Sequence, residues 1–223
     1  MIPLRDSVPA RRPPVVMLAV LVTCLLVFLY EASLPAWALV ELFQTFGVVP
    51  ARLVGPDPPY YTLVTSAFLH GGWLHLGGNM LYLWIFGNNV EDAMGHLGFL
   101  AFYLLCGAAA ALAQVALQPA STVPMVGASG AIAGVLGAYL VLYPHARILA
   151  LVPLGFFTQL AEVPAVLFLP LWFLLQLLYG IASLGVETQV GGGVAFWAHV
   201  GGFVAGVLLV RIFARSRPRP RAW

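Results

Sequence analysis

The stretch Val126-Gly-Ala-Ser-Gly-Ala-Ile-Ala-Gly-Val-Leu-Gly-Ala138 sets one serine, Ser129, among small residues in a long run without charge. A serine hydroxyl in an apolar helix ordinarily bonds back to the carbonyl one turn earlier and serves packing alone. It becomes a candidate nucleophile when a histidine can meet it. His199 stands in a second uncharged run, Ala198-His-Val-Gly-Gly-Phe-Val-Ala-Gly206, with Gly202 and Gly206 three and seven residues on and therefore on the histidine's own helix face. Small faces on both segments predict a close approach of two helices.

The medium around those helices follows from composition. Of 223 residues, 61% are hydrophobic and 8% charged, which excludes a soluble domain and indicates a membrane-embedded one. An ionised side chain at mid-bilayer costs at least ~2.5–3.5 kcal/mol, so the charges mark the ends of the spans. Arg12 to Glu31 and Glu187 to Arg211 each enclose one span, as does Glu162 to Glu187; Asp57 to Glu91 encloses a loop and then a span. The 54 residues between Asp92 and Arg147 are too many for one span and are broken by Pro119 and Pro124, so they read as a helical hairpin. The expected fold is all-α, with six transmembrane helices.

Arginine sets the orientation, since the chain has no lysine. Arg5, Arg11, Arg12, Arg147, Arg211, Arg215, Arg217, Arg219 and Arg221 all fall on one side of a six-span topology, which the positive-inside rule makes the cytoplasm. Both termini are expected there. Residues 1–14 read as a basic leader, 15–214 as the membrane domain and 215–223 as a solvated Arg/Pro tail rather than a nucleic-acid-binding segment. The first apolar run lacks a small-residue cleavage site and is not read as a signal peptide. Cys24 and Cys106 lie inside spans and read as core thiols.

In chain order the spans are expected at about 15–30, from Leu69 onward, 96–117, 126–143, 163–184 and 194–214. Residues 31–69 carry Trp37, Phe43, Phe46, Tyr60 and Tyr61 among prolines and read as a connection partly submerged in the headgroup layer. The link 145–161, with Pro153 and Gly155, is too short and broken to span. His75 and Asn79 are i and i+4 and share a face of the second span. Spans two, four and six run inward, and His75, Ser129 and His199 lie near their starts, under ~10 Å below the outer edge of a ~30 Å core at ~1.5 Å per residue. Three polar groups at one depth can converge.

Acyl transfer fits that set. A serine hydroxyl needs an adjacent base, and His199 can take its proton and return it to a leaving amine. Glu187, Glu91 and Asp92 are not placed to orient the imidazole, so a dyad is expected rather than a triad. Free amides at the start of span four, with Asn79 and His75, can serve as oxyanion donors.

Gly127-Ala-Ser129-Gly130, His199-x-x-Gly202-x-x-x-Gly206 and His70-x4-His75-x3-Asn79, in this order on six spans, resemble the rhomboid intramembrane serine proteases, with a likeness to their compact bacterial members that covers nearly the whole chain. The resemblance implies Ser129 as nucleophile, His199 as base, and His75, Asn79 and the backbone amides of Gly127, Ala128 and Ser129 as oxyanion donors. His70, Gly130, Gly202 and Gly206 would support the site. It further implies transmembrane proteins as substrates, no cofactor, metal or nucleic acid, and residence in the lipid bilayer of a bacterial inner membrane. Tyr60-Tyr61-Thr62 stands where many members carry Trp-Arg, and Ala133 where some carry an aromatic one turn after the serine. In span five, Phe168, Trp172 and Phe173 suit a movable gate that admits a substrate helix.

Three other classes fit less well. A proton-coupled transporter would need an intramembrane carboxylate or an inverted repeat, and an inactive rhomboid-like binder would lack the serine or the histidine. A zinc protease would need His-Glu-x-x-His, which is absent.

Overall fold

The computed structural model describes residues 1–154, 157–183 and 195–214. The tail 215–223 and the loop expected at 185–193 lie outside the described residues. In chain order come β1 (Ile2–Asp6), α1 (Val15–Ser33), α2 (Ala36–Phe46), α3 (Pro50–Leu53), α4 (Thr62–Thr65), a 3-10 turn (Ser66–Phe68), α5 (Trp73–Met94), α6 (His96–Leu117), α7 (Ser129–Leu142), β2 (Arg147–Leu154), β3 (Phe157–Pro164), α8 (Ala165–Ser183) and α9 (Phe196–Phe213). Helices α1, α6, α8 and α9 are long and apolar enough to cross a membrane; α7 is apolar but only 14 residues long.

The long helices are apolar on nearly all sides, as expected where lipid rather than water surrounds the bundle. Leu26, Leu97, Leu167 and Leu208 are exposed while Phe86, Phe99, Tyr103 and Leu136 are fully buried. What brings α7 and α9 together is the absence of side chains between them. A β-carbon on Gly202 would lie 2.0 Å from the Gly130 carbonyl oxygen, and one on Gly137 would lie 2.3 Å from the Phe203 carbonyl oxygen. Backbone therefore packs on backbone, as the small faces predict.

The helices are tied at the end where the arginines lie. Helix α1 begins after Pro14 with no side-chain cap of its own. Glu91, near the end of α5, supplies one from a distance: its carboxylate accepts the amides of Val16 at 2.9 Å and Met17 at 2.7 Å, and His96 Nδ1 at the start of α6 lies 2.5 Å from it. A carboxylate on free N-terminal amides satisfies orphan donors and the helix dipole together.

The sequence reading did not foresee a sheet. Strands β1, β2 and β3 form an antiparallel sheet in that order, so residues 2–6 of the expected leader pair with β2, and the broken link is a hairpin. Ile148 and Ala150 are fully buried at alternate positions of β2, a period-two signal hidden within a uniformly apolar run. Asp6 anchors β1 to the bundle, accepting from Tyr139 Oη at 2.5 Å and Asn89 Nδ2 at 2.7 Å. Burial raises the Asp6 carboxyl above the usual carboxylate range, against the opposing pull of the Tyr139 hydrogen bond.

Candidate active site

Three polar residues of the site stand at the opposite end of the bundle, each in the first turn of its helix: His75 on α5, Ser129 on α7 and His199 on α9. The close α7–α9 packing brings Ser129 Oγ to 2.7 Å from His199 Nε2, although 70 residues separate them in the chain. That distance is a good hydrogen bond between a hydroxyl and a ring nitrogen.

The other face of the imidazole reveals a residue that the sequence reading missed. His199 Nδ1 lies 2.8 Å from Oε1 of Gln176 on α8. An amide oxygen can only accept, so Nδ1 carries the proton and Nε2 presents its lone pair to Ser129. The signal was a single amide in an otherwise apolar span. Ala133 is fully buried and supplies no ring to His199; the Trp172 ring takes that part from α8, 5.9 Å away at 35°.

His75 faces Ser129 across Gly127. Gly127 has φ +125°, and a β-carbon there would lie 2.7 Å from His75 Nε2 and 3.7 Å from Ser129 Oγ, so only glycine leaves room for the ring. The Gly71 amide donates to His75 Nδ1 at 3.3 Å, which leaves the proton on Nε2, pointing toward Gly127. Asn79 is buried on the same face of α5 and donates from Nδ2 to the His75 carbonyl at 3.0 Å. The Gly127 amide, expected among the oxyanion donors, is instead committed to the Ser66 carbonyl at 2.9 Å. The amides of Ala128 and Ser129, which open α7, have no acceptor among the described residues.

His70 lies behind His75, with ring centroids 5.3 Å apart, and is buried. Its backbone amide donates to both Glu31 carboxylate oxygens at 3.2 Å. Burial, reinforced by His75, pushes the His70 imidazole down to about 4. Gly130 and Gly202 meet directly behind the serine, and Gly206 meets Gly134 one turn further along.

His75, Asn79, Ser129 and His199 line one cavity of about 960 Å³, bordered by Tyr82 of α5 and Trp172 of α8. Its apolar walls and convergent polar groups make it the candidate binding site.

A Rhomboid domain family model matches residues 58–216. The chain belongs to the rhomboid family. Among its rhomboid relatives, the chloroplastic Rhomboid-like protein 11 of Arabidopsis thaliana is 30% identical over 183 residues, covering 78% of this chain and 60% of that protein. The mitochondrial Rhomboid protein 1 of Saccharomyces cerevisiae is 33% identical over 151 residues, covering 66% of this chain and 40% of that one. Rhomboid protease GluP of Bacillus subtilis is 30% identical over 166 residues, covering 74% and 28%. The chain thus spans 60% or less of the length of these relatives. Relatives named for the chloroplast and the mitochondrion do not favour the bacterial inner membrane expected from the sequence; the family and the apolar helices support a multi-pass membrane protein.

Proposed function

We propose that this rhomboid is a serine endopeptidase that cleaves membrane proteins at or within their transmembrane segments, with Ser129 as nucleophile and His199 as general base. The observation that carries the reading is the 2.7 Å contact between Ser129 Oγ and His199 Nε2 in an imidazole whose other nitrogen is bonded to an acceptor. As Oγ attacks the scissile carbonyl carbon, its proton passes to Nε2. The carbonyl oxygen becomes an oxyanion facing the His75 Nε2–H, the Asn79 amide and the free amides of Ala128 and Ser129. Collapse expels the leaving amine, which takes the proton from Nε2. Water then attacks the acyl-enzyme, giving a proton to Nε2, and the tetrahedral species returns that proton to Ser129 as the new carboxyl group departs.

Six spans are part of the same proposal: α1, α5, α6, α7, α8 and α9, within a membrane domain of residues 15–214. The site then lies near the outer face, and β1 with the Arg147 end of β2 lies at the cytoplasmic face with both termini. The apolar exposed surface of the four long helices supports lipid as their surroundings. A substrate reaches Ser129 between α5 and α8, where Tyr82 and Trp172 meet with centroids 6.5 Å apart.

The test is cleavage of a single-span model substrate in proteoliposomes. Ser129→Ala and His199→Ala should each abolish cleavage in folded protein, and the double variant should be no worse than either single one, because members of a catalytic unit are non-additive. Cleavage retained in Ser129→Ala would end the protease reading.

A further inference from the structure

We infer that Gln176 is the positioning residue for the base, its side-chain oxygen holding His199 in the ring orientation and tautomer that the reaction needs. This rests on the protease reading of Ser129 and His199. The sequence offers no carboxylate to do that work, and the dyad expected from it leaves Nδ1 without a partner. The structure fills the vacancy from α8, with Gln176 Oε1 2.8 Å from Nδ1.

The surroundings argue for a built contact. An amide placed among Phe173, Leu174, Leu175, Leu177 and Leu178 in a membrane-crossing helix is costly unless a partner satisfies it. Gln176 is half-buried and lies one turn after Trp172, so both side chains project from one face of α8. Trp172 sits against the imidazole at 5.9 Å, and Phe173 packs on Phe203, one turn after His199, at 4.7 Å. Ring, amide and aromatic pair together seat α8 on the base. Among the described residues, the groups facing His199 from neighbouring helices are Ser129 from α7, His75 from α5, and Trp172 and Gln176 from α8; His75 is the titratable one besides the Ser129 hydroxyl, and none of these is a carboxylate.

The chemistry of an amide differs from that of an acid. Gln176 accepts a hydrogen bond from Nδ1–H throughout the cycle and never takes the proton, so all proton transfer runs through Nε2. It fixes the tautomer without the full negative charge that would stabilise the imidazolium. Because Gln176 belongs to α8, a displacement of that helix away from α9 also breaks its hold on the base.

A fluorophosphonate, small enough to need no helix displacement, reads the nucleophile directly. The full chain in detergent is labelled across pH 5 to 9, alongside Ser129→Ala, Gln176→Leu and Gln176→Glu, with the Tm of each. Gln176→Leu should slow labelling about 10- to 100-fold, since the base alone contributes on the order of 10²–10⁴. Gln176→Glu restores an acceptor and adds a charge that favours the imidazolium, so it should recover most of the rate and move the acidic limb to higher pH by about one unit. Labelling of Gln176→Leu within about twofold of wild type would overturn the inference. So would an unmoved acidic limb in Gln176→Glu, which decides the matter if the leucine variant does not fold. Wild type that is not labelled at Ser129 would overturn the protease reading instead.

Discussion

A β-carbon on Gly206 would lie 2.0 Å from the carbonyl oxygen of Gly134 and 2.7 Å from its Cα. No side-chain rearrangement relieves that overlap, because both partners are backbone. Gly206→Ala must therefore push α9 off α7, and the Ser129–His199 contact, which joins the same two helices, lengthens with that separation. A misplacement of about 1 Å at a reacting group can cost 10²-fold in rate. The variant is expected to show a lowered Tm and a loss of activity of that order, measured as substrate cleavage. Full activity in Gly206→Ala would mean that the two helices are not held by this contact.

Asn79 has two possible uses that experiment can separate. Its amide donates to the His75 carbonyl, and as interhelical or local glue it would be worth about 0.6–2 kcal/mol. As an oxyanion donor it acts on the transition state, where one lost donor costs on the order of 10²–10³. His75 and two backbone amides remain, so Asn79→Ala should lower turnover by about tenfold, below that range. A variant with lowered Tm but unchanged turnover would make Asn79 glue.

Tyr82 touches α8 through Trp172 and makes no ring contact with His199. Tyr82→Ala should loosen the contact between α5 and α8 and leave the base in place. Cleavage of a transmembrane substrate is expected to rise a few-fold, with fluorophosphonate labelling unchanged. Labelling and cleavage falling together would place Tyr82 in the chemistry rather than in access.

The helix of the second expected span begins only at Trp73, so His70 supplies a pH test outside the spans. Its imidazole titrates at about 4 in the folded protein, below the ordinary 6.5, because burial disfavours the cation. The stabilising contribution is complete above 6.5 and is lost as pH falls toward 4. Tm of wild type minus that of His70→Phe should therefore decline between pH 7 and pH 4. A difference that holds constant or grows on acidification would contradict a buried neutral His70.

The apolar helices and the meeting of Ser129 with His199 were legible because membrane burial leaves strong traces in a sequence. Charges bracket the spans, and Gly202 and Gly206 mark the face on which His199 lies. The expected third span, 96–117, coincides with α6, and α7, where a fourth was expected, begins at Ser129, three residues later than expected, because Gly127 has φ +125° and lies outside helical conformation. Strands β1 and β2 were not legible, since Ile148 and Ala150 alternate inside a run in which nearly every residue is apolar and pairing with residues 2–6 is non-local. Gln176 escaped notice for a related reason: one amide in a span reads as glue until its partner is known. The Gly127 amide was counted as a donor because its bond to Ser66 crosses 61 residues of chain.

The proposed mechanism has His199 activate Ser129. Its most direct test is peptide mapping by mass spectrometry after the full chain in detergent has been treated with a fluorophosphonate. A single phosphonyl adduct on Ser129, abolished in Ser129→Ala and strongly reduced in His199→Ala, is the expected result. An adduct on another residue, none at all, or equal modification of Ser129 in the His199→Ala variant would contradict it.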